Sequence, residues 1–392
     1  MNEIKILKSV TPTKLKNIYQ KYLNQPNLSD TTLIIPNSIN KYTFGLLADL
    51  LKLVITLNAK STIKTLKIDT DVETLDEIYD QEYAYPIISL LWNTAIFVDK
   101  NNLDIKETLR EKQNIFFIKM NTLSRIKGNK YILTNTDHLS KNRGLIRLLE
   151  NSDGFNDDED QITNNIKRIL ENNVLTFNKN NRTEFENITQ DIGAIIYELA
   201  KNTYEWGKTD SNLIEIPSSI RGIYFRFHIN NNDKIKEEFK DTPLEQFFKH
   251  PYIVEKCINE QGKIYYLEIL VFDSGVGFIE RFNAKENLDD LSIIKKCLIK
   301  NQTSSTSNLK SKKGIGLDRI LNILDHKGFV RITTDKYCVY RDLIKDNYKP
   351  IDLNNLNELK LDDWNYKNFN TTGKVRSQGS YISILYPFNS NK

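Results

Sequence analysis

The stretch Asp191–Trp206, DIGAIIYELAKNTYEW, constrains the chain more than any other, because its pattern is that of a helix packing along one side. At about 100° per residue, Ile192, Ile196, Leu199 and Thr203 share one stripe, and Glu198 and Asn202 fall together on its flank. One face must therefore meet a core, while the next carries a carboxylate and a carboxamide one turn apart. Such a pair can serve one water and one metal ion, the carboxylate accepting a proton and the carboxamide oxygen lending a lone pair. Alone, the spacing also fits a solvated Glu and Asn beside an ordinary core helix, so the surroundings have to decide.

Two further segments carry chemistry of the same kind. Lys263–Phe272, KIYYLEILVF, reads as a buried strand and runs straight into Asp273-Ser274-Gly275-Val276-Gly277. A carboxylate at a strand end can receive an amino hydrogen, and two glycines let backbone approach a ligand ring; an acidic residue in a plain glycine turn has the same appearance. Farther on, Lys312-Lys313-Gly314-Ile315-Gly316-Leu317 opens a helix running to about His326, after a Ser/Thr/Asn-rich stretch at Asn301–Asn308. The free N–H groups of a helix start suit a phosphate, and the polar stretch suits either a lid over a nucleotide or a surface loop.

Around these motifs the chain alternates strand and helix patterns. Strands are expected at Thr31–Ile35, Thr65–Asp69 and Asn114–Lys119, with helices at Asn40–Asn58 and Asp76–Val98, the second interrupted at Pro86. That alternation predicts a small α/β domain over residues 1–150. The polar, acidic NSDGFNDDED that follows predicts a linker over 151–160 and a second domain over 161–392. In the second domain, helices are expected at Gln161–Leu175 and about Arg182–Trp206. Ile214–Ile229 reads as a strand or bent pair with Gly222 as its bulge, Asn230–Lys240 as an exposed excursion, and Leu288–Lys300 as a helix. A hairpin about Asp335-Lys336, a loop-rich Asn347–Gly373 anchored by Trp364, and a last strand at Gly379–Pro387 complete the reading.

Composition sets the outer limits. A length of 392 residues, 39% apolar and 27% charged, suits two soluble domains. The net charge of +4, from 55 basic and 51 acidic residues, leaves no electrostatic footprint for nucleic acid. Cys257, Cys297 and Cys338 are isolated and lack metal or disulfide spacing, which points to a reducing compartment. Ala84–Val98, the longest apolar run, is too short to span a bilayer, and Met1–Lys16 has no signal-like apolar core, so a cytoplasmic protein without a membrane segment is expected. His138, alone in a polar loop, reads as a surface residue.

The order of the motifs, from E-x-x-x-N helix through D-x-G-x-G, polar loop and G-x-G to a final strand opening Gly379-Ser380, resembles the GHKL nucleotide-binding domain, or Bergerat fold. That family includes gyrase-type topoisomerases, heat-shock-ninety chaperones, sensor histidine kinases and mismatch-repair ATPases, and the resemblance covers about Gln161 to Pro387. It implies an α/β sandwich with helices on one face of a mixed sheet, binding ATP and Mg2+. By the same resemblance Glu198 is the general base and Asn202 the magnesium ligand. Asp273 reads adenine, Gly275 and Gly277 shape its pocket, and Ser380 stands where a Thr often reaches adenine. Gly314 and Gly316, with Leu317, hold phosphate, and Lys312 and Lys313 meet its terminal group. Two departures stand out. The interval from Asn202 to Asp273 is wide, which an insertion over Asn230–Gly262 accounts for, and Trp206 occupies a position that is often polar in the kinases. The first domain resembles STAS-like domains in the order of its elements, implying a sensor or a protein-partner site. With no phosphoacceptor His followed by Glu or Asp before the ATP domain, the expected function is an ATPase or ATP-driven switch in bacterial signalling or defence, with or without homodimerisation. A serine kinase of the anti-sigma type and a non-hydrolysing nucleotide-binding module are the alternatives.

Overall fold

The computed structural model describes residues 2–25, 30–60, 62–139, 141–151, 153–176, 182–283, 288–299 and 316–390. The chain begins with β1 (Asn2–Lys5), α1 (Pro12–Leu23), β2 (Thr31–Pro36), α2 (Leu46–Ala59), β3 (Ile63–Asp69), α3 (Ala84–Leu91) and β4 (Ile96–Val98). The four strands pair in parallel in chain order, as expected where helices alternate with strands. Gly45, at φ +80°, delays α2 to Leu46. Pro86 lies in the first turn of α3, where its missing N–H costs nothing, so it starts a helix instead of interrupting one. Asn114–Lys119, expected as a strand, lies inside α4 (Lys106–Asn121). Leu109, Gln113, Phe116 and Met120 are the buried residues of that helix, and their spacing of four, three and four residues overrides the short apolar run.

A second, seven-stranded sheet follows. Its chain order is β5 (Lys130–Thr136), α5 (Lys141–Gly144), a small hairpin of β6 (Glu150–Asn151) and β7 (Gly154–Phe155), α6 (Glu159–Ile169), α7 (Arg182–Trp206) and β8 (Ile220–Asn231). Then come α8 (Asn232–Glu238), α9 (Pro243–Lys249), β9 (Lys263–Asp273), α10 (Gly277–Asn283), α11 (Asp290–Cys297), α12 (Gly316–Ile323), β10 (Phe329–Asp335), β11 (Tyr337–Asp342), β12 (Asp362–Asp363) and β13 (Ser377–Pro387). The strands lie in the order β12-β11-β10-β13-β9-β8-β5. Every pairing in this sheet is antiparallel, which corrects the expected mixed sheet; parallel pairs are confined to the first sheet. The class is α+β.

The sheet takes its edge strand from before residue 150: Lys130 to Thr136 pair with Arg226 to Ile220. The acidic segment read as a linker is largely exposed and is tethered at a few points. Glu150 is buried on Arg221, Asp157 lies 2.9 Å from the Lys201 ammonium, and Glu159 lies 3.1 Å from Arg319.

Helices α6, α7 and α12 pack together over one face of this sheet, and α2 and α3 cover the other. Helix α2, LLADLLKLVITLNA, is apolar nearly all round and buried at every position from Leu46 to Leu57 except Lys52, because neighbours surround it: α1, α3 and β13. The expected exposed excursion has a core of its own. Ile235, Phe239, Phe247 and Phe248 are buried against Tyr266 and Phe329 of the sheet. Gly222 forms no bulge, since its pairings run unbroken on both sides; a Cβ there would lie 2.4 Å from the Phe272 ring and 2.6 Å from the Leu133 carbonyl. Trp364 anchors its segment as expected, edge-on to Phe329 and Tyr340. Among the described residues no helix is long and apolar enough to cross a membrane.

Candidate functional site

Strand β9, interior to the sheet, carries Asp273 at its C-terminal end between Arg221 of β8 and Ser380 of β13, its neighbours in register. The turn that follows is held from several sides. The Gly275 amide donates to Asp273 Oδ1 at 2.8 Å, the Gly379 amide to the Gly275 carbonyl at 2.8 Å, and Gln378 Nε2 to the carbonyls of Ser274 and Gly275 at 3.0 and 2.6 Å. Its glycines are required by close packing. A Cβ on Gly275 would lie 2.5 Å from the Trp206 carbonyl, and one on Gly277, at φ +81°, 2.7 Å from Thr334 Oγ1. The turn is thereby docked on the C-terminal end of α7, the helix bearing Glu198 and Asn202. From Glu198 to Trp206 is about 12 Å along that helix axis.

Asp273 is buried, and burial pushes its carboxyl up to about 6 against the opposing pull of the Gly275 and Ser380 amides and of Arg221. Arg221 has its own partners. Its Nε lies 3.1 Å from both Asp137 oxygens, and its Nη2 bonds Asp137 at 2.5 Å and also Glu150. Glu198 is likewise buried and raised, first by desolvation and then by Glu159 and Asp157, with Lys201 and Arg319 opposing. Both of those cations are bonded elsewhere. Lys201 reaches Asp157 and, at 3.0 Å, the Tyr197 hydroxyl, while Arg319 reaches Glu159. Asn202, half-buried, sits one turn beyond Glu198. Helix α12 begins at Gly316, buries Leu317, and packs on α7. Lys312, Lys313 and Gly314 lie outside the described residues.

The structure thus gathers Asp273, Gly275, Gly277 and Ser380 at one end of α7 and sets Glu198 beside α6 and α12 two turns away. Sequence reasoning missed Arg221, Arg319 and Gln378. Only Arg221 had a signal, a charge inside the apolar run Ile220–Phe225. Trp206 stacks under the Arg281 guanidinium, 4.3 Å from its ring centre. His138 is not a surface residue: it is half-buried, its ring nitrogens lie 3.2 and 3.1 Å from the Ser219 and Ser89 carbonyl oxygens, and burial lowers its pKa. Two clefts, of about 440 and 230 Å³, flank α4, away from these groups. Among the described residues no cluster of three or more His, Cys, Asp or Glu side chains could hold a metal ion. Compared with protein families, curated proteins and solved structures, the chain gives no match.

Proposed function

We propose that this chain is a magnesium-dependent ATP-binding protein of the GHKL type, working as a cytoplasmic ATPase or ATP-driven switch in bacterial signalling or defence. The observation that carries the reading is the docking of the Asp273 turn on the very helix that bears Glu198 and Asn202, with both carboxyls raised by burial. Asp273 uses one oxygen on the Gly275 amide and, ionised at neutral pH, keeps capacity to accept from an exocyclic amino group. Ser380, beside it in register, would take part. Glu198, with its raised pKa, is suited to take a proton from water. The α12 start at Gly316 offers amides of the kind that bind phosphate, and Lys312, Lys313 and Gly314 precede it in sequence.

Asn202 would contribute the one protein oxygen to magnesium, an ion that keeps several waters and phosphate oxygens, so a multi-carboxylate cage is not needed. When bound, the ion neutralises phosphate charge. The N-terminal elements would serve a signal or protein partner. The test is steady-state phosphate release beside calorimetric MgATP binding. Glu198→Gln should keep affinity and lose turnover by about 10²- to 10⁴-fold, while Asn202→Ala should lose affinity. Transfer of the γ-phosphate to a partner protein would make this a kinase, binding without turnover a regulatory module, and failure to bind MgATP would end the reading.

A further inference from the structure

Lysines converge where the first sheet's helices meet the C-terminal segment. Lys16 of α1 reaches Asn365 Oδ1 at 2.5 Å, Lys52 of α2 lies 5.1 Å from the Tyr19 ring centre, and Lys367 and Lys374 come from the segment before β13. Beneath them Arg331 of β10 is buried, its Nε 3.2 Å from Cys338 Sγ and its guanidinium 4.5 Å from the Trp364 ring centre. Lys16 is held below its ordinary pKa first by burial and then by Lys367, with Lys374 and Lys52 acting the same way and Cys338 opposing.

The nearby carboxylates are already engaged, Asp363 by the amides of Asn365, Lys367 and Phe369. Asp49 is shared between Arg331 and Lys52, and Asp335 is engaged by Arg376. Among the described residues no carboxylate pairs with Lys16, Lys367 or Lys374, and the Lys374 ammonium is shielded from solvent with no hydrogen-bond partner at all. A shielded ammonium without an acceptor is costly, and gathering further ammonium groups about it adds repulsion, unless an anion occupies the space between them.

We propose that this seam binds a phosphate-type polyanion, independently of the nucleotide site. Lysine is a point-charge phosphate binder that does not need the planar match an arginine makes, and three separate segments supply the charges. The occupant would be felt at the Asp273 turn. Lys52 and Thr56 are one turn apart on α2; Thr56 Oγ1 accepts the Gln378 amide at 3.1 Å, and Gln378 in turn holds the Ser274 and Gly275 carbonyls.

The test is calorimetric titration of the full chain with inorganic pyrophosphate in the presence of a chelator, which removes any metal-dependent phosphate binding. The parent should bind, and Lys16→Gln/Lys374→Gln should bind about tenfold more weakly or worse. In chloride buffer without pyrophosphate that double variant should melt no lower than the parent, because repulsion has been relieved. Lys367→Gln, at an exposed position, should weaken binding without touching the fold, and Asp273→Asn should leave it intact. No binding by the parent, undiminished binding by the lysine variants, or loss in Asp273→Asn instead would each overturn the proposal. Sedimentation with anionic phospholipid vesicles, lost in the same variants, would assign the phosphate to a lipid headgroup; pyrophosphate binding without sedimentation would assign it to a soluble ligand.

Discussion

On the face of the seven-stranded sheet covered by α2 and α3, buried carboxylates have partners of their own. Asp49 bonds Arg331 at 2.5 Å, Glu82 lies against Arg226 and Lys130, and Glu268 meets His228 at 2.8 Å and the Gly45 amide at 2.8 Å. On the face covered by α6, α7 and α12, Asp273 and Glu198 are buried beside cations already bonded elsewhere. The titration behaviour divides accordingly. Burial alone would raise Asp49 and Glu82, yet Arg331 and Lys52 on the one, and Lys130 and Arg226 on the other, hold both below the usual carboxylate range. Burial wins at Asp273 and Glu198. At Asp49 and Glu82 the cation holds the charge in place and the molecule together; at Asp273 and Glu198 burial leaves the carboxyl raised, the condition under which it can meet a ligand or a proton.

The most severe way to break this contrast is to strip one partner from the paired face. Arg331→Met leaves Asp49 buried with only Lys52 and should cost about 3 to 5 kcal/mol in urea unfolding, much of it recovered in Arg331→Met/Asp49→Leu. Because the folded pKa of Asp49 is depressed, the pair's contribution is present above the unfolded pKa and is lost as pH falls through the folded one. The gap between parent and double variant should therefore shift against the parent on acidification. A loss below about 1 kcal/mol for the single variant, the value of a surface pair, would erase the distinction between the faces.

Asp273→Asn should do the opposite and stabilise the chain. Its folded pKa of about 6 lies above the ordinary 3.8, so the ionised form carries no penalty below the lower value, a growing one as pH rises between them, and the full one above. By linkage the variant should gain up to about 3 kcal/mol at pH near 8 and nothing near pH 4, measured by urea unfolding at both. Equal stability at the higher pH would mean that Asp273 is as well compensated as Asp49. The smallest effect is expected at the link between the faces: Thr56→Val removes the acceptor of the Gln378 amide, costs about 1 kcal/mol, and should speed hydrogen exchange at that amide without altering the far edge strand β5.

Much of this was legible in the sequence. The stripe of Ile192, Ile196 and Leu199 gave α7 its true span, and β9, β13 and the hairpin about Asp335 stand close to where turn residues and apolar runs put them. Local pattern failed where the deciding partner is remote. The tethers of the acidic segment about Glu150 are invisible in sequence because Arg221, Lys201 and Arg319 lie 71, 44 and 160 residues from the carboxylates they hold. β5 could not be assigned to the second sheet for the same reason, its partner being β8. The D-x-G-x-G turn was read correctly as a turn after a buried strand, but what its glycines touch, the end of α7 and Thr334, is visible only in three dimensions.

The central claim, that Asp273 is left uncompensated in order to meet a ligand, is tested most directly by calorimetric titration of MgATP into the parent and Asp273→Asn at pH near 8. Losing a charged acceptor from a buried hydrogen bond corresponds to about 1.5 to 3 kcal/mol, so affinity should fall about 10- to 150-fold in the variant that is the more stable of the two. Equal affinity in both proteins, or no binding by the parent, would contradict the account.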